Sequence, residues 1–139
     1  MVEIIAGEKG KGKTKYLLDM VNKSVENSKG NIVYLDKSQK HMHELSNKVR
    51  LITVTEYPIS NCDEFLGFIC GIVSQDYDLQ EMYLDSFLTI ANVSENQLVH
   101  AIEKLDVISE KFNVKFILSI SRGEADLPES VKAKLIVSL

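Results

Sequence analysis

"IIAGEKGKGKTKYLL", residues 4–18, runs from an apolar stretch through a glycine- and lysine-rich turn into residues of helical spacing. Four lysines, Lys9, Lys11, Lys13 and Lys15, fall within seven residues of a chain whose formal net charge is −4. Such a turn is either a solvated basic loop or a cradle for something strongly negative. The order of types around it separates the two. "VEIIA" (2–6) is a β-branched run that reads as a buried strand. After Thr14, Tyr16, Leu17, Leu18, Met20, Val21 and Val25 recur at helical spacing.

Residues 7–14, Gly-Glu-Lys-Gly-Lys-Gly-Lys-Thr, match G-x-x-x-x-G-K-[ST], the P-loop or Walker A pattern. Gly7 and Gly12 let the backbone turn back and approach a phosphate without an intervening Cβ. Successive N–H groups then form an anion nest. The unpaired N–H groups and positive dipole end of the following helix face the same anion. The pattern makes Gly7, Glu8, Lys9, Gly10, Lys11, Gly12, Lys13, Thr14 and Lys15 the expected nucleotide-binding segment. Lys13 is expected on the β- and γ-phosphates, and the Thr14 hydroxyl on Mg²⁺. Lys9, Lys11 and Lys15 lie outside the pattern's requirements and raise the local potential.

Working outward, "NSKGN" closes the first helix, with Gly30 expected as a left-handed C-cap. "NIVYLD" (31–36) reads as a second strand, "KSQKHMHELSNK" (37–48) as a short helix, and "RLITVTEY" (50–57) as a third strand. Asn61 with Glu64, and Ser94 with Gln97, are capping-box signatures that open two further helices. The helix over 61–75 is apolar around much of its circumference, so it lies on a sheet or against a partner. "EMYLDSF" (81–87), "VKFILSIS" (114–121) and "AKLIVSL" (133–139) complete the strands. Apolar strands alternating with helices predict one α/β domain over 1–139. It would be a three-layer sandwich with a mostly parallel central sheet of about five or six strands.

The composition is that of a globular chain, 45% hydrophobic and 26% charged. The negative net charge argues against nucleic acid as a partner. Cys62 and Cys70 carry no metal or disulfide spacing. His41 and His43 read as surface residues. No apolar run is long enough to span a membrane. The opening lacks a leader-like segment, and a cytoplasmic location is expected.

Hydrolysis needs more than a cradle. Two aspartates end strands and could serve the metal, Asp85 after "EMYL" and Asp36 after "NIVYL". Asp85 is preferred if "RLITVTEY" is an added edge strand, and Asp36 if the first two strands are neighbours. Ser86 stands where many P-loop ATPases with such an inserted strand have a water-activating glutamate; Glu56 could substitute or be a surface residue. "SISRGE" places Ser119, Ser121 or Arg122 where a γ-phosphate sensor would sit, and Arg122 could also act across a dimer.

Residues 2–18 with this strand order resemble the P-loop NTPase superfamily. The whole chain is similar to small stand-alone bacterial P-loop proteins, some labelled after twitching-motility ATPases. That resemblance implies fold and nucleotide binding. The additional motifs of the pilus retraction ATPases are missing, so motor activity is not implied. ATP is the default nucleotide, because no guanine-specificity motif appears at a strand end. Three readings follow: a slow or partner-activated ATPase, a small-molecule kinase, and a nucleotide-holding assembly protein, alone or as a homo-oligomer. A kinase lid normally needs arginines, and this chain has only Arg50 and Arg122.

Overall fold

The β-branched run at the start forms β1 (Val2–Ala6), and the chain leaves the glycine turn as α1 (Lys13–Asn27). These and all other elements come from a computed structural model describing residues 1–139. Next come β2 (Asn31–Asp36), β3 (Val49–Thr53), α2 (Cys62–Ser74), β4 (Leu79–Leu84) and the single turn α3 (Phe87–Ile90). The chain ends through α4 (Leu98–Phe112), β5 (Lys115–Ile120), α5 (Glu129–Lys132) and β6 (Leu135–Ser138). No helix is long and apolar enough to cross a membrane.

All six strands join one sheet in the order β3-β2-β4-β5-β1-β6, and every pairing is parallel. Two apolar clusters sandwich it. The larger lies under α2 and α4 and takes Val33, Leu35, Met82, Leu84, Phe116 and Leu118 from the strands. The smaller lies under α1, where Leu17, Leu18 and Val21 cover Ile5, Ile32, Tyr34, Tyr83 and Ile117. Fully buried side chains of this size contribute roughly 1.5–3 kcal/mol each. The apolar faces of α2 are therefore met mainly by the sheet and α4, with Phe65, Leu66, Ile69 and Val73 buried.

Strand alternation decides what reaches the carboxyl edge of the sheet. Ile32 and Tyr34 face α1, and so does Asp36 after them. On β4, Tyr83 faces α1, followed by Asp85. On β5, Ile117 is followed by Ser119. Leu35 pairs with Leu84 and Leu84 with Leu118, so Asp36, Asp85 and Ser119 form one row at the strand ends.

Several local expectations change. The helix expected over 37–48 reduces to a 3-10 turn, Met42–Glu44, because its apolar stripe is too sparse to hold a longer helix against the sheet. Loop 37–48 is instead clamped to α1: Asn22 Nδ2 donates to Glu44 O, and Asn22 Oδ1 accepts from Ser46 N. β3 stops at Thr53 and passes into a 3-10 turn, Val54–Glu56. β4 begins two residues early and ends at Leu84. Ser86 adopts a left-handed conformation (φ 57°), and residues 87–90 coil back as α3. Gly30 is not a left-handed cap. Helix α1 ends at Asn27, with Ser28 N bonded to Ser24 O. Glycine is needed at 30 for space, since a Cβ would lie 2.3 Å from Asp78 O. Asn61 caps α2 as expected, its side chain accepting from Glu64 N at 2.9 Å, but Glu64 reaches Ser60 N instead of closing the box on Asn61. The Ser94–Gln97 box is complete.

Candidate phosphate-binding site

Between β1 and α1 the chain makes the turn that the glycines allow. Gly10 and Gly12 have φ of 87° and 89°, conformations that L side chains resist. Gly7 is close-packed: a Cβ there would meet Leu139 at 3.1 Å. Lys13 starts α1, is only 7% exposed, and curls its ammonium back over the loop to donate to Glu8 O at 3.0 Å. Burial pushes its pKa below the usual lysine range, and the Asp85 charge opposes that shift.

Above the row of strand ends opens a cavity of about 260 Å³ lined by no apolar residue. The loop and α1 supply Lys9, Gly10, Gly12, Lys13 and Thr14 to it. The strand ends supply Asp85, Ser86, Ser119 and Ser121, and the segment after β2 supplies Lys37. Three lysines face one carboxylate. That lining suits a polyanion, and an apolar ring would find nothing there to pack on.

Asp85 is 2% exposed and takes three hydroxyl donors. Thr14 Oγ1 lies 3.3 Å from its Oδ1, Ser119 Oγ lies 2.8 Å from the same oxygen, and Tyr34 OH lies 2.8 Å from Oδ2. Ser119 Oγ in turn accepts from Ser86 N at 2.8 Å. Tyr34 is fully buried and stacks on Tyr83 at 6.1 Å. Burial first and the Asp85 charge second push its phenol far above the usual range, so it is a permanent donor.

Asp36 contrasts with its neighbour. It is 3% exposed, and Oδ1 accepts only from Lys37 N at 2.7 Å. Its Oδ2 is buried without a partner. Burial, then the Asp85 charge one strand away, raise its pKa above the ordinary carboxylate value.

The other candidates disperse. Arg122 is ion-paired to Glu95 at 3.0 Å and does not line the cavity. Glu56 accepts from Gln39 Nε2 at 3.1 Å beside the edge strand β3. Lys11 lies outside the cavity, and Glu8 enters the site only through its carbonyl. Lys15 lines a neighbouring cleft with Asp19, His41 and Glu44. His41 Nδ1 contacts Glu44 Oε2 at 2.5 Å, and no group of three or more His, Cys, Asp or Glu forms a metal cluster. Arg50 is exposed on β3. Lys37 and Tyr34 escaped the sequence reading. Both belong to the same "NIVYLDK" segment, but only the adjacency of β2 and β4 brings them to Asp85.

No protein-family model matches the chain, and no curated protein matches it in sequence. Its fold does match solved structures. A KaiC-like protein from the archaeon Pyrococcus horikoshii superposes with a TM-score of 0.65 and 18% identity, over 95% of this chain and 67% of the other. The flagellar accessory protein FlaH from Methanocaldococcus jannaschii gives 0.58 and 17%, over 95% of this chain and 65% of its own. The architecture is that of the P-loop NTPases.

Proposed function

We propose that the chain binds a nucleoside triphosphate, ATP by default, with Mg²⁺ through its Walker A loop. Hydrolysis would be slow or completed by a partner. The observation that carries this reading is the all-polar cavity in which Lys13, the start of α1 and the Asp85–Thr14 pair converge. Nest and helix start would hold the β-phosphate, with Lys13 across the β- and γ-phosphates. The Thr14 hydroxyl and Asp85 carboxylate are hard oxygen donors within 3.3 Å of each other, a set that fits Mg²⁺. Bound there, the ion would offset charge on the phosphate oxygens.

Three donors orient Asp85 and leave an acceptor site on Oδ2 open, so its work is to position the metal site. Tyr34 and Ser119 fix the carboxylate with Oδ1 aimed at Thr14. Asp36 is the uncommitted acceptor of the pair. It does not line the cavity, and its bare Oδ2 is buried, so no role as base for a water in the site is assigned to it. No arginine lines the cavity, which favours an ATPase completed by another molecule, including a second copy, over a kinase with its own arginine lid. Two archaeal proteins of this fold, one KaiC-like and one a flagellar accessory protein, make a switch or assembly role a natural frame.

Calorimetry with Mg·ATP on the purified chain tests the core of this reading. Saturable binding at micromolar to millimolar nucleotide is expected, and phosphate release then measures turnover. A wild-type chain that binds no nucleotide sinks the proposal.

A further inference from the structure

We propose that Lys37 is a γ-phosphate sensor, a residue whose contact with the nucleotide is made by a triphosphate and not by a diphosphate. The inference rests on the nucleotide-binding reading above and adds a second cation to it. Along the carboxyl edge the strand order β1, β5, β4, β2 puts Lys37 three strands from the P-loop. At sheet spacing that is roughly 14 Å. A phosphate chain held at the loop by its β-phosphate extends past Thr14 and Asp85 toward this far wall, so the terminal phosphate is the group nearest Lys37.

The residue is built for that task. Its backbone is tied on both sides: Lys37 N donates to Asp36 Oδ1 at 2.7 Å, and Lys37 O accepts from Thr55 Oγ1 at 2.9 Å. Its side chain lines the cavity, and its ammonium makes no ion pair. Arg122, the sequence candidate for the same task, is committed to Glu95. A fixed root with an uncommitted cationic tip can swing onto an anion at little backbone cost. Lys9 and Lys13 sit on the loop side and meet both nucleotides. Lys37 meets only the longer one. The bonds to Asp36 and Thr55 join this lysine to the end of β2 and the turn after β3.

Calorimetric titration of wild type, Lys37→Ala and Lys37→Arg with Mg²⁺ and either ADP or a non-hydrolysable imido analogue of ATP tests this directly. The side chain is exposed, so the variants are expected to fold. Losing one charge-assisted contact should weaken the triphosphate analogue about tenfold to a hundredfold in Lys37→Ala. ADP affinity should stay within about twofold, and Lys37→Arg should recover most of the loss. Lys40→Ala, an exposed lysine outside the cavity, should change neither. Equal weakening of both nucleotides, or of neither, overturns the sensor. If wild type binds neither nucleotide, the binding reading itself falls and the sensor with it. If wild type binds both and Lys37→Ala does not discriminate, only the sensor falls.

Discussion

Replacing Lys13 by methionine should cut nucleotide affinity while making the protein itself more stable. The ammonium is expected to make two charge-assisted contacts, to the β- and γ-phosphates, at roughly 1.5–2 kcal/mol each. Their loss, about 3–4 kcal/mol, weakens Mg·ATP binding a few hundredfold, since 1.4 kcal/mol is a factor of ten. Without nucleotide the balance reverses. Lys13 is 7% exposed, and burial lowers its pKa even with Asp85 nearby, so its charge is held at a net cost to folding. A lysine with a lower pKa in the native state binds its proton more tightly when unfolded. Wild-type stability should therefore rise with pH as the solution passes from the lowered pKa toward the ordinary 10.5. Methionine has similar length, carries no charge, and forfeits the bond to Glu8 O and the attraction to Asp85. The variant should gain about 1 kcal/mol near neutrality and show a flatter alkaline stability profile. Calorimetry reads the first effect, and urea melts across the alkaline range read the second. A Lys13→Met protein that binds Mg·ATP as tightly as wild type would refute the phosphate contact. One that melts several degrees lower would refute the burial argument.

Two further outcomes follow from the aspartate row. Tyr34→Phe removes the donor to Asp85 Oδ2 inside the core, which should cost roughly 1.5–3 kcal/mol and lower the melting temperature by about 5–10 °C; an unchanged melt would show that Tyr34 contributes only packing. Asp36→Asn should stabilise the fold by about 1 kcal/mol at neutral pH. The native Asp36 carboxyl has a raised pKa, so its contribution to stability is greatest below the ordinary carboxylate range and is lost as pH rises through the raised value. The variant should lack that fall in denaturation curves taken from about pH 4 to pH 8, and a slope equal to wild type would remove Asp36 as its source.

What was legible in the sequence was contiguous along the chain. The glycine turn, the strand before it and the helix after it are set by residues 2–27 alone, because positive φ at Gly10 and Gly12 and the apolar spacing of α1 are local properties. The caps at Asn61 and Ser94 are equally local, three residues from donor to acceptor. Readings failed where local preference was weak or opposed. Loop 37–48 had too little apolar surface to be a helix, and Gly30 was needed for room against Asp78 and Gln80.

The choice between the two aspartates could not be made locally. The bonds that hold Asp85 span 71, 51 and 34 residues to Thr14, Tyr34 and Ser119. They exist because β5 inserts between β1 and β4 while β3 is left at the edge. That strand order is a global packing outcome, set by which helices cover which face. The same order gives Asp85 three hydroxyl donors and leaves Asp36 with a bare oxygen, carries Lys37 to the far wall of the cavity, and sends Arg122 away to Glu95. Sequence alone determined the glycine turn between strand and helix at residues 7–14, because every part of it is local along the backbone. Only the tertiary structure decided which distant carboxylate and which distant lysine face it, because their neighbours are chosen by the sheet and not by the chain.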